Sequence, residues 1–579
     1  MDIIISELII ENYRSIKKIH ITFDDLRSLF FGENNSGKTN ILKAIHIAFN
    51  NSAHSKEDVF ISIESPYSKN KEIKIYIKIS PYDYLNNKII NKFNPAWAQY
   101  LGDKINPEGD FEYFAFLTQV KYDESKKDYI KTRKLIFNWE SLQIGNEIQY
   151  KLLEPFDCYY IPAKRDLVED ILNKNSIWNK YIPKIEIEEN EKIKIAGLTK
   201  KISDKIIKSS NLLESVKQEL QILKPNSKDS INLEAISQET NKLYNGINIY
   251  IDNVNNGRIN FESMGSGTRS RSIFQVIKAI IENRLKNISL YAPILLLEEP
   301  EANLHPNLQK EVFNEIAKIN CQLFVATHSN WAFCNSKYEH YYHVINKTET
   351  IIKDTTLKGY GNVEKQGIYK EILNNNAGFL FSTKVVFAEG KTEEIALPIY
   401  YKKFFGKEPF YNNVSIVGVG GPNYKYFLKM ANDLSISWFI FSDGEPDAIS
   451  KLQAALKYAF DKDSIDLTSL NNVIVIPNNC DYEKYLQKNG YSNLMIKAID
   501  GKIDGNKLFK EWMKNMDGQY IKSGIRDYHS AGNKQRALED FFNKYKTDYA
   551  IDVANFIVNS KKKMPPIIKS LLDKLKKEL

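Results

Sequence analysis

The 579-residue chain is predicted to be an α/β protein in two parts. Gly32-Glu33-Asn34-Asn35-Ser36-Gly37-Lys38-Thr39 stands between a strand-like and a helix-like run, the setting of a phosphate-binding loop. Leu295-Leu296-Leu297-Glu298-Glu299 is an apolar strand ending in two carboxylates. Further on, short buried-looking strands alternate with helical stretches, the pattern of a parallel sheet, and three of them lead into acidic residues.

Taken in order, Ile3 to Ile10 alternates as a strand, Asn12-Tyr13-Arg14-Ser15 turns the chain, and Ile19 to Phe23 alternates again. Leu29-Phe30-Phe31 leads into the loop, and Thr39 to Phe49 is helical. Strand-like runs follow at Ile73–Ile79, Tyr113–Tyr122 and Lys134–Trp139, completing an N-terminal half over residues 1–165. In residues 166–244, Leu198, Ile202, Ile206, Leu213, Val216 and Leu220 form a helical apolar stripe. It predicts an amphipathic insert, either packed on its own domain or used for dimerisation. Residues 245–375 return to strands and helices, and a boundary is expected at Asn374-Asn375-Asn376-Ala377-Gly378. Residues 376–579 hold the strands Lys384–Ala388, Ile416–Val419, Trp438–Phe441 and Val473–Ile476 and end in a Lys-rich helical tail from about 545.

Composition narrows the class. Hydrophobic residues make up 43% and mean hydropathy is −0.41, as in a soluble globular protein, and no apolar run is long enough to span a bilayer. The first residues lack a signal peptide's basic start. Cys158, Cys321, Cys334 and Cys480 show no CxxC spacing, so a reduced, cytoplasmic location is expected and structural zinc is not. The net charge of +8 mildly favours nucleic acid. A chain rich in Lys, Ile, Asn and Tyr would carry such a charge in any case.

In the loop, the backbone N–H groups around Gly32, Asn35, Ser36 and Gly37 can cradle phosphates. Lys38 would meet the β/γ-phosphates of ATP and Thr39 would bind Mg²⁺. Glu298 is placed near that metal, and Glu299 where it can polarise the attacking water. His328, in Ala326-Thr327-His328-Ser329, ends another strand and could sense the γ-phosphate. Met264-Gly265-Ser266-Gly267-Thr268-Arg269-Ser270 leads into a helix and looks like a divergent ABC-ATPase signature, with Ser266 and Gly267 aimed at a nucleotide. It implies a head-to-head homodimer or higher homo-oligomer, because such a loop serves the partner's phosphates.

Downstream, Glu389 ends one strand with Glu393 a helical turn later, Asp443 and Glu445 end a second with Asp447 nearby, and Asp481 and Glu483 end a third. Acidic loop ends are common singly. In series after buried strands they predict one acidic pocket, whose hard oxygens suit Mg²⁺ or Mn²⁺. Two such ions can activate water and stabilise the leaving oxygen in phosphodiester cleavage.

These motifs resemble the overcoming-lysogenization-defect (OLD) family, an ABC-type ATPase fused to a Toprim nuclease. The likeness rests on Leu8-Ile9-Ile10-Glu11-Asn12-Tyr13-Arg14-Ser15, the P-loop, Tyr159 to Asp166, Glu298 to Pro306, Ala326 to Ser329, Glu389 to Glu393, Val417 to Gly421 and Asp481-Tyr482-Glu483. Size and short insert are similar to Gabija-type nuclease subunits, and retron-associated members are comparable. The resemblance implies metal-binding or catalytic roles for Glu389, Glu393, Asp443, Glu445, Asp481 and Glu483. It also implies a C-terminal lysine that stabilises transition-state charge. Lys561, Lys562 and Lys563 match that region, Lys562 being the central candidate, and the sequence does not separate them. Asp443-Gly444-Glu445 departs from the family's Asp-x-Asp, with Asp447 a substitute, and the signature loop is divergent.

The expectation is an ATP-regulated, Mg²⁺- or Mn²⁺-dependent DNA endonuclease in prokaryotic antiviral defence. Its partner would be a helicase-like subunit, as for Gabija, or a reverse transcriptase with its RNA–DNA product, as for a retron. No membrane is involved. The alternative is a RecF/SMC-like DNA-repair clamp with a non-catalytic Toprim domain. A primase or topoisomerase is a weaker reading, since no zinc-binding primase motif is present.

Overall fold

A computed structural model describes residues 2–50, 55–62, 66–167, 204–223, 230–234, 248–253, 257–334, 338–421, 424–501, 508–519, 527–528 and 533–579. The chain divides into two compact units, Met1–Gly359 and Tyr360–Leu579. The Asn-rich stretch expected to be a boundary therefore lies inside the second unit. Composition suggests a linker there, yet Ala377, Phe379 and Leu380 are buried, and Phe379 packs its ring on Phe387 and Phe427.

The first unit sandwiches the helix Lys38–Phe49 between two sheets. One is antiparallel, with its main path in the order Ile16–Thr22, Ile3–Tyr13, Ile73–Asp83, Phe111–Asp123, Asp128–Asn138 and Gln143–Glu147. The strand Ile16–Thr22 shows why it forms: Ile16, Ile19 and Ile21 are buried while Lys17, Lys18, His20 and Thr22 face water. The other sheet runs Cys158–Ile161, Ile294–Glu298, Gln322–Thr327, Arg27–Phe31, His340–Asn346 and Thr350–Thr356, parallel except for its last strand. Ile41, Leu42, Ile45, Ala48 and Phe49 of the helix share one core with Leu8 and Ile75 of the first sheet and Leu296 and Phe324 of the second. Each large side chain so buried contributes about 1.5–3 kcal/mol, so the loop preceding the helix is held from both sides.

Of the predicted helical insert, Asn211–Leu220 is a helix that buries Leu213, Val216 and Leu220. It packs on the helix Ser266–Asn287, where Lys278 donates to Glu219 at 2.8 Å. This part of the stripe is used within its own unit. Leu198 and Ile202 lie outside the described residues. Ser230–Glu234 is a strand, paired antiparallel with Asn248–Asn253. The alternation of Ile231 and Leu233, overlooked beside the helical stripe, carries that period of two.

The second unit is built on a parallel sheet in the order Val414–Gly418, Lys384–Ala388, Ser437–Ser442 and Val473–Val475. Val386, Ala388, Phe439 and Phe441 share a core with side chains of the helices Lys391–Phe405, Lys534–Asn559 and Pro566–Glu578. Phe387 faces the other way, onto Phe427 of the helix Tyr424–Asp433. Because all four strands run the same way, the segments leaving them gather at one edge, where α/β proteins build their sites. No described helix is long and apolar enough to cross a membrane.

Candidate functional site

At the edge of the first unit's parallel sheet, a cavity of about 570 Å³ is lined by Asn34 to Asn40, Glu298, Glu299, Ala326 and His328. Lys38 folds back over the loop and donates to the carbonyls of Gly32 at 3.1 Å and Glu33 at 2.7 Å. Burial pulls the Lys38 ammonium down to about 8, against the opposing pull of Glu299, Glu301, Glu298 and Glu33. Gly37 has φ +109, and a Cβ there would stand 2.5 Å from Thr350 Oγ1. Only glycine lets the loop turn against that strand.

The Thr39 hydroxyl donates to Glu298 Oε1, and the Tyr160 hydroxyl to Oε2 at 2.5 Å. Threonine and glutamate therefore meet where a nucleotide-bound cation would sit, and their oxygens fit one. Glu299 has φ 43, and its N–H donates to Ala326 O at 2.7 Å. Its Oε1 lies 3.7 Å from His328 Nε2. Burial, with Lys38 nearby, holds the His328 imidazole down to about 4, so it is neutral at pH 7. The shelf beneath is rigid. Glu301 accepts from Thr327 Oγ1 at 2.7 Å and His328 N at 2.9 Å, and Arg165 donates to Glu299 O at 3.0 Å and Pro300 O at 2.6 Å. Tyr160 and Arg165 fall in the Tyr159–Asp166 segment, but composition gave them no role. Ser266 and Gly267 begin the helix Ser266–Asn287 and do not line this cavity.

In the second unit, Glu389 follows the strand Lys384–Ala388, and its Oε2 accepts from Ser442 Oγ at 2.8 Å and Asp443 N at 2.9 Å. Glu393 is buried in the first turn of the next helix and accepts from Gly390 N at 3.0 Å. Asp481 and Glu483 do not end a strand, as their alternation suggested. The strand stops at Val475; Asp481 caps the helix Tyr482–Lys488, accepting from Lys484 N at 2.8 Å, and Glu483 lies buried in its first turn.

The carboxylates bear on one another. Burial, then Glu393, Glu389, Glu483 and Asp481, push Asp443 up to about 9. Burial and Glu393 push Glu483 up to about 8, against the pull of Lys546. Asp443 Oδ1 and Glu483 Oε1 are buried without a hydrogen-bond partner. Two orphaned buried oxygens in an all-oxygen cluster that resists ionising are the donor set a hard divalent cation takes. Among the described residues no three such groups already stand at ligand spacing.

Glu445 sits outside this cluster, half-exposed, where Lys484 joins it at 2.9 Å to Asp481 at 3.3 Å. Asp447 is exposed and paired to Lys451 at 2.5 Å. Gly444 is obligatory, since a Cβ there would meet Ile476 O at 1.7 Å.

Lys562 donates to Asn489 O at 2.7 Å and lies 3.9 Å over the Tyr491 ring. Asn489 is the C-terminal cap of the helix that Asp481 opens, roughly 10 Å from the carboxylates. With Asp481, Glu483 and Lys484, a further lysine, Lys546, lines a small cavity. Burial works against its charge, but Glu483, Glu393, Asp443 and Asp481 outweigh it and raise its pKa. Lys546 as a whole residue is exposed.

Residues 3–332 match the family described as AAA ATPase domain, and residues 380–444 that described as overcoming lysogenization defect protein-like, Toprim domain. The chain is 23% identical over 499 residues to the Old nuclease of Escherichia phage P2, covering 76% of this chain and 77% of that protein. It is 24% identical over 336 residues to the DNA replication and repair protein RecF of Clostridium tetani (strain Massachusetts / E88), covering 53% and 89%. Among solved structures, a coiled-coil-bearing Smc head from Pyrococcus furiosus, bound to the C-terminal domain of ScpA, aligns at TM-score 0.39 and 13% identity, covering 64% and 99%.

Proposed function

The chain belongs to the AAA ATPase domain family and is an ATP-hydrolysing nuclease of the OLD ATPase–Toprim kind, and on that premise we propose that it is a divalent-metal-dependent DNA endonuclease, regulated by ATP, acting in prokaryotic antiviral defence. The observation that carries the nuclease half is that Asp443 Oδ1 and Glu483 Oε1 are buried without a hydrogen-bond partner, with burial and the neighbouring carboxylates raising the pKa of both residues and Lys546 opposing the rise at Glu483.

A divalent cation held there supplies Lewis-acid charge and an acidified water. The chain's own groups do the rest. Ser442 and the Asp443 N–H fix Glu389 before anything binds. Asp443 and Glu483, whose Oδ1 and Oε1 are buried without a hydrogen-bond partner, would hold the cation together with Glu389 and Asp481. Lys546 sets a fixed charge against the negative charge that grows on the phosphoryl oxygens. In the first unit Lys38 and the loop hold the nucleotide phosphates, Thr39 and Glu298 its cation, and Glu299 orients the attacking water beside a neutral His328.

Mg²⁺ or Mn²⁺ is the proposed ion at both sites. A homodimer or larger assembly, in which Ser266 and Gly267 of one head complete the other's nucleotide site, is proposed from the position of that helix start. A helicase-like subunit, or a reverse transcriptase with RNA–DNA, is the proposed partner, and the cytoplasm the proposed location.

Supercoiled-plasmid cleavage with Mg²⁺ or Mn²⁺, with and without ATP, tests the reading. Wild type should nick or cut and Glu389→Ala should not. ATP hydrolysis without cutting under any divalent ion would favour the RecF/SMC-like clamp with a non-catalytic Toprim domain. Identical single-turnover cleavage rates with and without ATP would remove the regulatory half alone.

A further inference from the structure

The second unit has a further cavity at the opposite edge of its sheet, where the strands begin. It measures about 680 Å³, within the usual range of roughly 300–1,000 Å³ for small-ligand sites. Ser437 and Trp438 open the strand Ser437–Ser442 at this end, and Ser442 reaches the carboxylates at the other. At about 3.3 Å per residue the two sites are roughly 17 Å apart.

Its lining combines three chemistries. Trp438 and Phe460 are half-buried rings with centroids 5.8 Å apart, and both face the cavity. Lys574 and Lys577, one helical turn apart on the helix Pro566–Glu578, both line the same space. Neither lysine has an ion pair or hydrogen-bond partner among the described residues. Two asparagines supply amide groups: Asn472 donates to Trp438 O at 3.0 Å, which leaves its carbonyl oxygen to accept, and Asn471 lies beside it. Glu578 stands at the same mouth, so two positive charges meet one negative.

Each chemistry narrows the ligand. Indole and phenyl rings left half-open offer a face for a planar aromatic group. Amides pair with the donor and acceptor edge of a nucleobase. Unpartnered lysines within reach of those rings call for an anion, and a phosphate is the anion that travels with a base. We propose that this cavity binds a nucleotide unit, with its base against Trp438 and Phe460 and its phosphate between Lys574 and Lys577. The shared chemistry is that of a free mononucleotide or of one residue of a single strand. The site is separate from the P-loop and does not depend on the nuclease assignment.

Isothermal titration of the full chain in EDTA tests this with two probes, thymidine 5′-monophosphate and a 5′-phosphorylated thymidine tetranucleotide. Neither carries the β- and γ-phosphates that the P-loop grips. Binding should persist in Lys38→Ala and weaken about tenfold or more in Lys574→Ala/Lys577→Ala. Trp438→Ala should weaken it too, and the exposed lysine pair keeps the test sound if that variant folds poorly. Equal affinity for both probes identifies a free nucleotide as the ligand, and a preference for the tetranucleotide identifies a strand. Failure of wild type to bind either probe, or affinity unchanged in the lysine pair, would overturn the proposal.

Discussion

The Tyr160 hydroxyl donates to Glu298 Oε2 at 2.5 Å, while Thr39 holds the other oxygen of the same carboxylate. Glu298 stands where P-loop ATPases usually carry the shorter aspartate, so its extra methylene needs a restraint. Tyr160, on the neighbouring parallel strand, supplies it. A hydrogen bond to a charged group contributes about 1.5–3 kcal/mol. Tyr160→Phe should therefore raise the Mg²⁺ concentration for half-maximal ATP hydrolysis about tenfold or more. Metal-free nucleotide affinity should stay as it is, and equal loss in both titrations would place Tyr160 in nucleotide binding instead.

Lys546 lines the small cavity beside Asp481 and Glu483, while Lys562 is bonded to Asn489 O. Lys546→Ala should lower single-turnover cleavage by about 100-fold, the scale of losing one preorganised charge stabiliser. Its acid limb should also move to higher pH, because Lys546 lowers the pKa of Glu393 and Glu483. Lys546→Arg should recover part of the rate and the acid limb. Lys562→Ala should cut as wild type does, and the reverse ranking would restore the sequence-based assignment.

The carboxylate strain has a measurable cost without metal. Asp443 is pushed up to about 9 and Glu483 up to about 8, against about 3.9 and 4.3 in an unfolded chain. The folded state thus binds more protons than the unfolded state between about pH 4 and 9, and stability falls as pH rises through that window. In EDTA the second unit's Tm should drop from pH 6 to pH 9. Asp443→Asn should flatten that slope, and Mn²⁺ should raise Tm more at pH 8 than at pH 6. A slope that Asp443→Asn leaves unchanged would assign the titration to other groups.

The loop from Gly32 to Thr39, the acidic residues Glu389 and Asp443 at strand ends and the strands of the parallel sheet are legible because each is written in adjacent residues. Gly32 to Thr39 fixes its own loop, and the strand Ile294–Glu298 needs only its apolar run. Lys546 was not legible that way. The helix Lys534–Asn559 leaves helical geometry at Tyr545, with φ −123 and ψ 15, one residue before this lysine. Its position did carry a signal. Lys546 lies four residues after Phe542 and three before Tyr549, both buried, so a charge interrupts an apolar stripe. Asp481 and Glu483 are legible as carboxylates but not in their geometry, because a helix cap and a strand end look alike when an apolar strand lies just upstream.

Variants at Glu299 and His328 should separate nucleotide binding from hydrolysis. Glu299 sits at φ 43, pinned by its N–H to Ala326 O, so the strained turn aims its carboxylate into the cavity. The strain stores about 1–3 kcal/mol, which the surrounding hydrogen bonds must hold. Glu299→Gln preserves shape and those backbone contacts but removes the negative charge. It should bind ATP as wild type does and hydrolyse it at least about 100-fold more slowly. His328, held near 4, should give no protonation break in the ATPase rate between pH 5.5 and 7.5. In Glu299→Gln the same imidazole faces a neutral amide, and nucleotide affinity should stay flat over that range too. Plasmid cleavage by this variant with ATP then reports what bound, unhydrolysed nucleotide does to the nuclease. Cutting that matches wild type with ATP would mean that binding alone sets the nuclease state, whereas cutting that matches the ATP-free protein would mean that turnover is required.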